Sequence, residues 1–154
     1  MEFQKLDQLK RVAAVAPARL TKAQKLELWA EALERLGETR LRTLFQIEHT
    51  PPALRAAMRE DNSPLSVAFA DPRLRAEGLS GDTVGDAVTF FDASERELHD
   101  ILCFCHHGET MSACAAASRV RAAAVRAQAR RGLPVAPVCF GGLAAMVIAT
   151  AMLV

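Results

Sequence analysis

Residues 133–154, LPVAPVCFGGLAAMVIATAMLV, contain no charged side chain, and Thr150 is their only hydroxyl. An apolar run of about 18 or more residues is long enough to cross the hydrocarbon core of a bilayer. Pro134 and Pro137 fit a first helical turn, so a regular helix can follow to Val154. At about 1.5 Å per residue, that helix spans roughly 30 Å. Five arginines precede the run, at positions 119, 121, 126, 130 and 131. Basic residues beside an apolar span favour the cytoplasmic side of a membrane. The stretch therefore predicts a single-pass protein: a helical cytoplasmic domain over residues 1–132 and a C-terminal transmembrane anchor over 133–154. The alternative, a buried central helix, demands a bundle able to cover it on every face, which a chain this short seldom provides.

Within the run, Gly141, Ala145 and Ala149 recur every four residues and form a small-residue face. Such faces let membrane helices approach closely, in a homodimer or against another membrane protein. Every acid of the chain lies at or before Glu109, so the net charge of +1 conceals a basic C-terminal third. Arg119, Arg126, Arg130 and Arg131 are placed to meet anionic lipid headgroups. The near-zero overall charge argues against an extended nucleic-acid footprint. There is no tyrosine and one tryptophan, Trp29, so the span lacks an interfacial aromatic belt. Val12–Ala18, the charge-free stretch near the N-terminus, is too short and proline-limited for a secretory leader.

Upstream of the anchor the sequence reads as all-α. Phe3, Leu6, Leu9 and Val12 share one face of a first helix that ends before Pro17. Thr21 and Gln24 form a capping box for a second helix that stops at Gly37, with Leu26, Trp29, Ala30 and Leu33 as its apolar stripe. Leu41, Leu44, Phe45 and Ile47 continue an amphipathic segment to Thr50. Short helices follow Pro52, Pro72 and Thr83. Ser94 and Glu97 make another capping box, opening a helix through His107 that Gly108 ends. Thr110 then starts an alanine-rich helix to about Arg131, closed by Gly132.

The chemistry-bearing residues concentrate in HDILCFCHHGETMSAC. On a continuous helix His99, Cys103 and His106 or His107 share one face, and Cys114 can reach them from the next helix. Imidazole with thiolate suits zinc or copper, and histidine also ligates haem. On that reading Cys105 points away. The bland reading makes Cys103 and Cys114 small core residues and leaves the histidines at a solvated helix end, where the helix dipole favours their protonated form. The spacing matches neither a zinc-finger nor a haem-attachment pattern, and four cysteines at 103, 105, 114 and 139 are not a secreted disulfide framework.

No catalytic constellation emerges. His49, Asp61 and Ser63 lie around a proline turn without a nucleophile elbow, and the GLSGDTVGD glycines lack a phosphate-loop lysine. Helices 94–107 and 110–131 outline a helix-turn-helix, yet TMSACAAA offers few side chains that read bases. The sequence thus predicts a tail-anchored accessory subunit or adaptor that works by protein–protein interaction. A membrane-tethered metal or redox regulator comes second, and a soluble helix-turn-helix-like regulator third.

Overall fold

The computed structural model describes residues 19–44, 47 and 49–132. The expected first helix, with Phe3, Leu6 and Leu9, and the expected anchor, with Gly141, Ala145 and Ala149, lie outside the described residues. Among the described residues no helix is long and apolar enough to cross a membrane.

The described chain is mostly helical with one small sheet: α1 (Lys22–Glu34), β1 (Arg40–Arg42), α2 (Pro52–Arg55), α3 (Pro64–Ala70), α4 (Pro72–Ala76), α5 (Val84–Phe91), α6 (Glu95–Leu102), α7 (Phe104–His107), β2 (Thr110–Ser112) and α8 (Ala113–Gly132). The core is built around α1 and α8. Leu26, Trp29, Ala30 and Leu33 bury one face of α1, and Ala113, Ala116, Ala117, Val120, Ala123 and Ala124 bury the facing stripe of α8. The three- and four-residue spacings put each set on one side of its helix. Because five of the six α8 residues are alanine, the two backbones can pack closely, and large side chains from elsewhere fill the remainder. Phe91, Leu98 and Leu102 from α5 and α6 complete the same core.

Local sequence starts most of these helices. The Thr21–Gln24 box caps α1, the Thr83–Asp86 box caps α5 and the Ser94–Glu97 box caps α6. Ser63 and Asp71 cap α3 and α4, each ahead of a proline in the first turn. Each such cap satisfies backbone N–H groups that the helix itself leaves unpaired.

The structure departs from an all-α reading in three places. Residues 40–42, expected to begin an amphipathic helix, form β1, which pairs antiparallel with β2 in the register Arg40↔Ser112, Leu41↔Met111 and Arg42↔Thr110. Leu41 and Met111 face inward from this ladder, both nearly fully buried. The long helix consequently begins at Ala113 rather than Thr110. The helix expected to continue through His107 ends at Leu102 and restarts at Phe104. With α7, Gly108 and β2 between α6 and α8, the helix-turn-helix outline dissolves as well.

Gly85 marks the tightest seam. Its N–H donates to the Ala56 carbonyl at 2.9 Å, and a methyl group built on it would sit 2.9 Å from that same oxygen. Gly85→Ala would gain about 1 kcal/mol of helix propensity but overpack a backbone contact, at a cost of about 1–3 kcal/mol. We expect a net destabilisation of up to about 2 kcal/mol, read as a lower urea midpoint. A raised midpoint would show that α5 does not seat on residue 56 in this way.

Candidate functional site

The break at Cys103 creates the site. Cys103 adopts an extended conformation (φ −73°, ψ 137°) and forms a parallel bridge with Leu44. The Leu44 N–H donates to the Leu102 carbonyl at 2.8 Å, and the Phe104 N–H donates to the Leu44 carbonyl at 3.0 Å. One extended residue pinned this way re-aims everything after it. On a continuous helix residue 105 would point away from residue 99. Here the Cys105 Sγ lies 3.6 Å from the His99 Nε2. The His99 and His106 rings meet edge to face, with centroids 5.0 Å apart. One ligand atom from each of His99, Cys105 and His106 falls within 4.8 Å of the other two. His99 is half-buried, whereas Cys105 and His106 are exposed.

The other candidates have different surroundings. Cys103 is fully buried. Its Sγ caps α7 by accepting the Cys105 N–H at 3.3 Å and touches the Cys105 Sγ at 2.7 Å. His107 turns its Nε2 to the Asp100 carbonyl at 3.2 Å. Loss of hydration, outweighing that contact, lowers its pKa. Cys114 does not join the group. It sits in the first turn of α8, where its N–H donates to the Gly37 carbonyl at 3.1 Å. Burial first, then the Glu38 carboxylate, pushes its thiol pKa up. The structure therefore keeps His99 and His106 from the expected set, leaves Cys103 beside the group, sets His107 and Cys114 elsewhere and adds Cys105. Sequence alone offered one hint of Cys105: its position in Cys-Phe-Cys-His, two residues from another cysteine and next to a histidine.

His106 also lines a groove of about 880 Å³ between α6 and α8. Arg96, Arg119, Arg126 and Arg130 line it too, together with Lys22, the carboxylates of Asp92 and Glu97 and the exposed Ala122. Arg119, Arg126 and Arg130 recur at offsets of seven and four, which places them on one side of α8. Arg121 points the other way and binds α1, donating to Glu27 at 2.8 Å and to Glu34 at 3.0 Å. The hydrogen bond from Arg121 lowers the Glu34 pKa against the opposing effect of burial. By contrast, none of the four groove arginines forms an ion pair among the described residues. Asp100, which also lines the groove, comes within 3.9 Å of the His106 Nε2, an exposed and weak contact. The Arg131 side chain lies outside the described residues. No local signal in the sequence marks Arg96, which belongs to α6 and is distant in sequence from the α8 stripe it joins.

The chemistry of the site is therefore twofold: two imidazoles and a thiol at one end, and guanidinium groups without ion pairs among the described residues along the groove beside them. No protein-family model, curated protein or solved structure matches the chain.

Proposed function

We propose that the protein is a membrane-tethered adaptor, a helical domain on the cytoplasmic side, held by residues 133–154, that docks an acidic segment of a partner protein in the α6–α8 groove. The groove carries this reading: four guanidinium groups without ion-pair partners among the described residues line one concavity with Lys22, and these five cations outnumber the carboxylates of Asp92, Glu97 and Asp100 there. Arg126 and Arg130 lie in the last turns of α8, so the basic side of that helix leads towards the charge-free stretch. A planar headgroup layer meets flat or convex surfaces, whereas a concave basic groove suits a chain that can enter it. Arginine pairs with carboxylates in bidentate fashion, which gives such docking both direction and strength. The absence of a convincing catalytic constellation in the sequence agrees with a role in binding.

The test has two parts. Full-length protein should remain with carbonate-washed membranes and be released by truncation after Gly132. Full-length protein found in the supernatant would sink the anchor. In mild detergent the membrane-retained protein should co-purify with a larger assembly in stoichiometric amount. The double variant Arg119→Glu/Arg126→Glu should weaken that association at least about tenfold, equivalent to about 1.4 kcal/mol, without loss of membrane retention. An assembly that tolerates both reversals would remove the groove as its docking site.

A further inference from the structure

We infer that His99, Cys105 and His106 form a binding site for a closed-shell transition-metal ion, zinc or copper(I), and that this site sits at the end of the basic groove. The inference goes beyond the adaptor reading and does not depend on it.

Geometry comes first. Ligands at about 2.0–2.1 Å for nitrogen and 2.3 Å for sulfur around a tetrahedral ion stand roughly 3.3–3.8 Å from one another. The His99 Nε2 and Cys105 Sγ are already 3.6 Å apart. All three donors fall within 4.8 Å, so small side-chain rotations suffice to bring them onto one ion. Donor chemistry agrees: two neutral imidazoles and one thiolate match borderline and soft ions and discriminate against magnesium and calcium, which prefer oxygen ligands. Three closely placed side-chain ligands suit a single ion better than haem, which needs a broad apolar face beside its axial ligand.

The position of the donors is set by backbone structure rather than by chance proximity of long side chains. The two hydrogen bonds that tie Leu102 and Phe104 to Leu44 fix the angle between α6 and α7. Gly108, at φ 73°, closes α7 immediately after the last histidine. Three protein ligands leave a fourth position open to solvent, as in zinc sites that exchange a water or an external ligand. Binding converts the Cys105 thiol to thiolate, with its proton passing to solvent.

Titration of the metal-free full-length chain with Co²⁺ in mild detergent tests the site, since cobalt reports thiolate ligation optically. One equivalent should give tetrahedral d–d absorption and a thiolate-to-cobalt charge-transfer band, both removed by Zn²⁺. Cys105→Ser should abolish the charge-transfer band. His99→Ala and His106→Ala should each weaken binding at least about tenfold, while Cys114→Ser and His107→Gln leave it unchanged. Circular dichroism on each variant distinguishes loss of a ligand from loss of fold. Competition between the chain and a copper(I) chelator, run alongside the zinc titration, decides which of the two ions binds more tightly, and either supports the site. Absence of stoichiometric binding by cobalt, zinc and copper(I) would overturn the inference. So would a charge-transfer band that survives Cys105→Ser or disappears with Cys114→Ser.

Discussion

Trp29→Ala is expected to lower the unfolding free energy by about 3–5 kcal/mol, the usual range for deleting a fully buried large aromatic side chain. Trp29 is wholly buried and joins three elements. From α1 it stacks on Phe91 of α5, with centroids 4.8 Å apart and planes 21° from parallel. Its Nε1 donates to the Pro64 carbonyl at 2.9 Å, at the start of α3. Alanine would remove the apolar contacts, leave a cavity that neighbouring rings fill incompletely and strip the Pro64 carbonyl of that donor. Small domains are stable by only about 5–15 kcal/mol, so this single change removes a large share of the total. Trp29→Phe separates the terms, keeping most of the ring packing while losing the donor, and should cost about 1–3 kcal/mol. Because Trp29 is the sole tryptophan, its emission in the unsubstituted protein should be blue-shifted and should move to longer wavelength on unfolding. Urea unfolding followed by circular dichroism gives the free energies for all three proteins. A loss below about 1 kcal/mol for alanine would mean that Trp29 is not the keystone of this core.

The difference between what the sequence discloses and what it conceals follows the range of the interactions involved. Thr21 with Gln24 and Ser94 with Glu97 are three residues apart, and both boxes form through bonds between those residues alone. Asp71 ahead of Pro72 is equally local, and the helices they start are therefore legible. The strands are not. Each has three residues with one buried side chain, Leu41 or Met111, and a period of two cannot be told from a helical period over so short a span. Their pairing joins segments about seventy residues apart in sequence.

The break at Cys103 is hidden for the same reason. Neither proline nor glycine marks it, and the capping box at Ser94 predicts a helix that continues. Hydrogen bonds from Leu44, far away in sequence, end α6 there. Helical offsets beyond residue 102 therefore assign the wrong faces. Those offsets turn Cys105 away from His99, whereas the break turns it towards His99. The arginine stripe of α8 was legible because it lies within one helix, whereas its role in a groove depends on α6 packed beside it.

Asp71→Asn is expected to destabilise the protein by about 2–3 kcal/mol at neutral pH and to flatten its response to acid. The Asp71 side chain is 2% exposed. One oxygen caps α4 by accepting the Arg73 N–H at 2.8 Å, and the other accepts from the Arg73 guanidinium at 3.1 Å and from Arg35 of α1. Burial works to raise the Asp71 pKa, but the bonds from Arg73 and Arg35 outweigh it and hold the carboxyl below its ordinary value. Asparagine can still offer an oxygen to the cap, so the loss falls mainly on the charge-assisted bonds, each worth about 1.5–3 kcal/mol. Arg35 and Arg73 are both more than one-third exposed and can regain water, which keeps the total below the cost of stranding a buried charge. The sign with pH follows from the direction of the shift. A carboxyl with a depressed folded-state pKa stabilises the fold fully above its unfolded value, about 3.9 for aspartate, and loses that contribution as pH falls through the lower folded value. Glu97 acts in the same sense, because the Ser94 N–H and Lys22 together overcome the effect of its burial. Unsubstituted protein should therefore lose stability steeply below about pH 4, while Asp71→Asn, already weaker at neutral pH, should lose less over the same interval. Urea midpoints measured from pH 7 down to pH 3 give both slopes. Parallel slopes would mean that Asp71 is not held as a carboxylate by the two arginines, and the join between α1 and α4 would then rest on apolar packing alone.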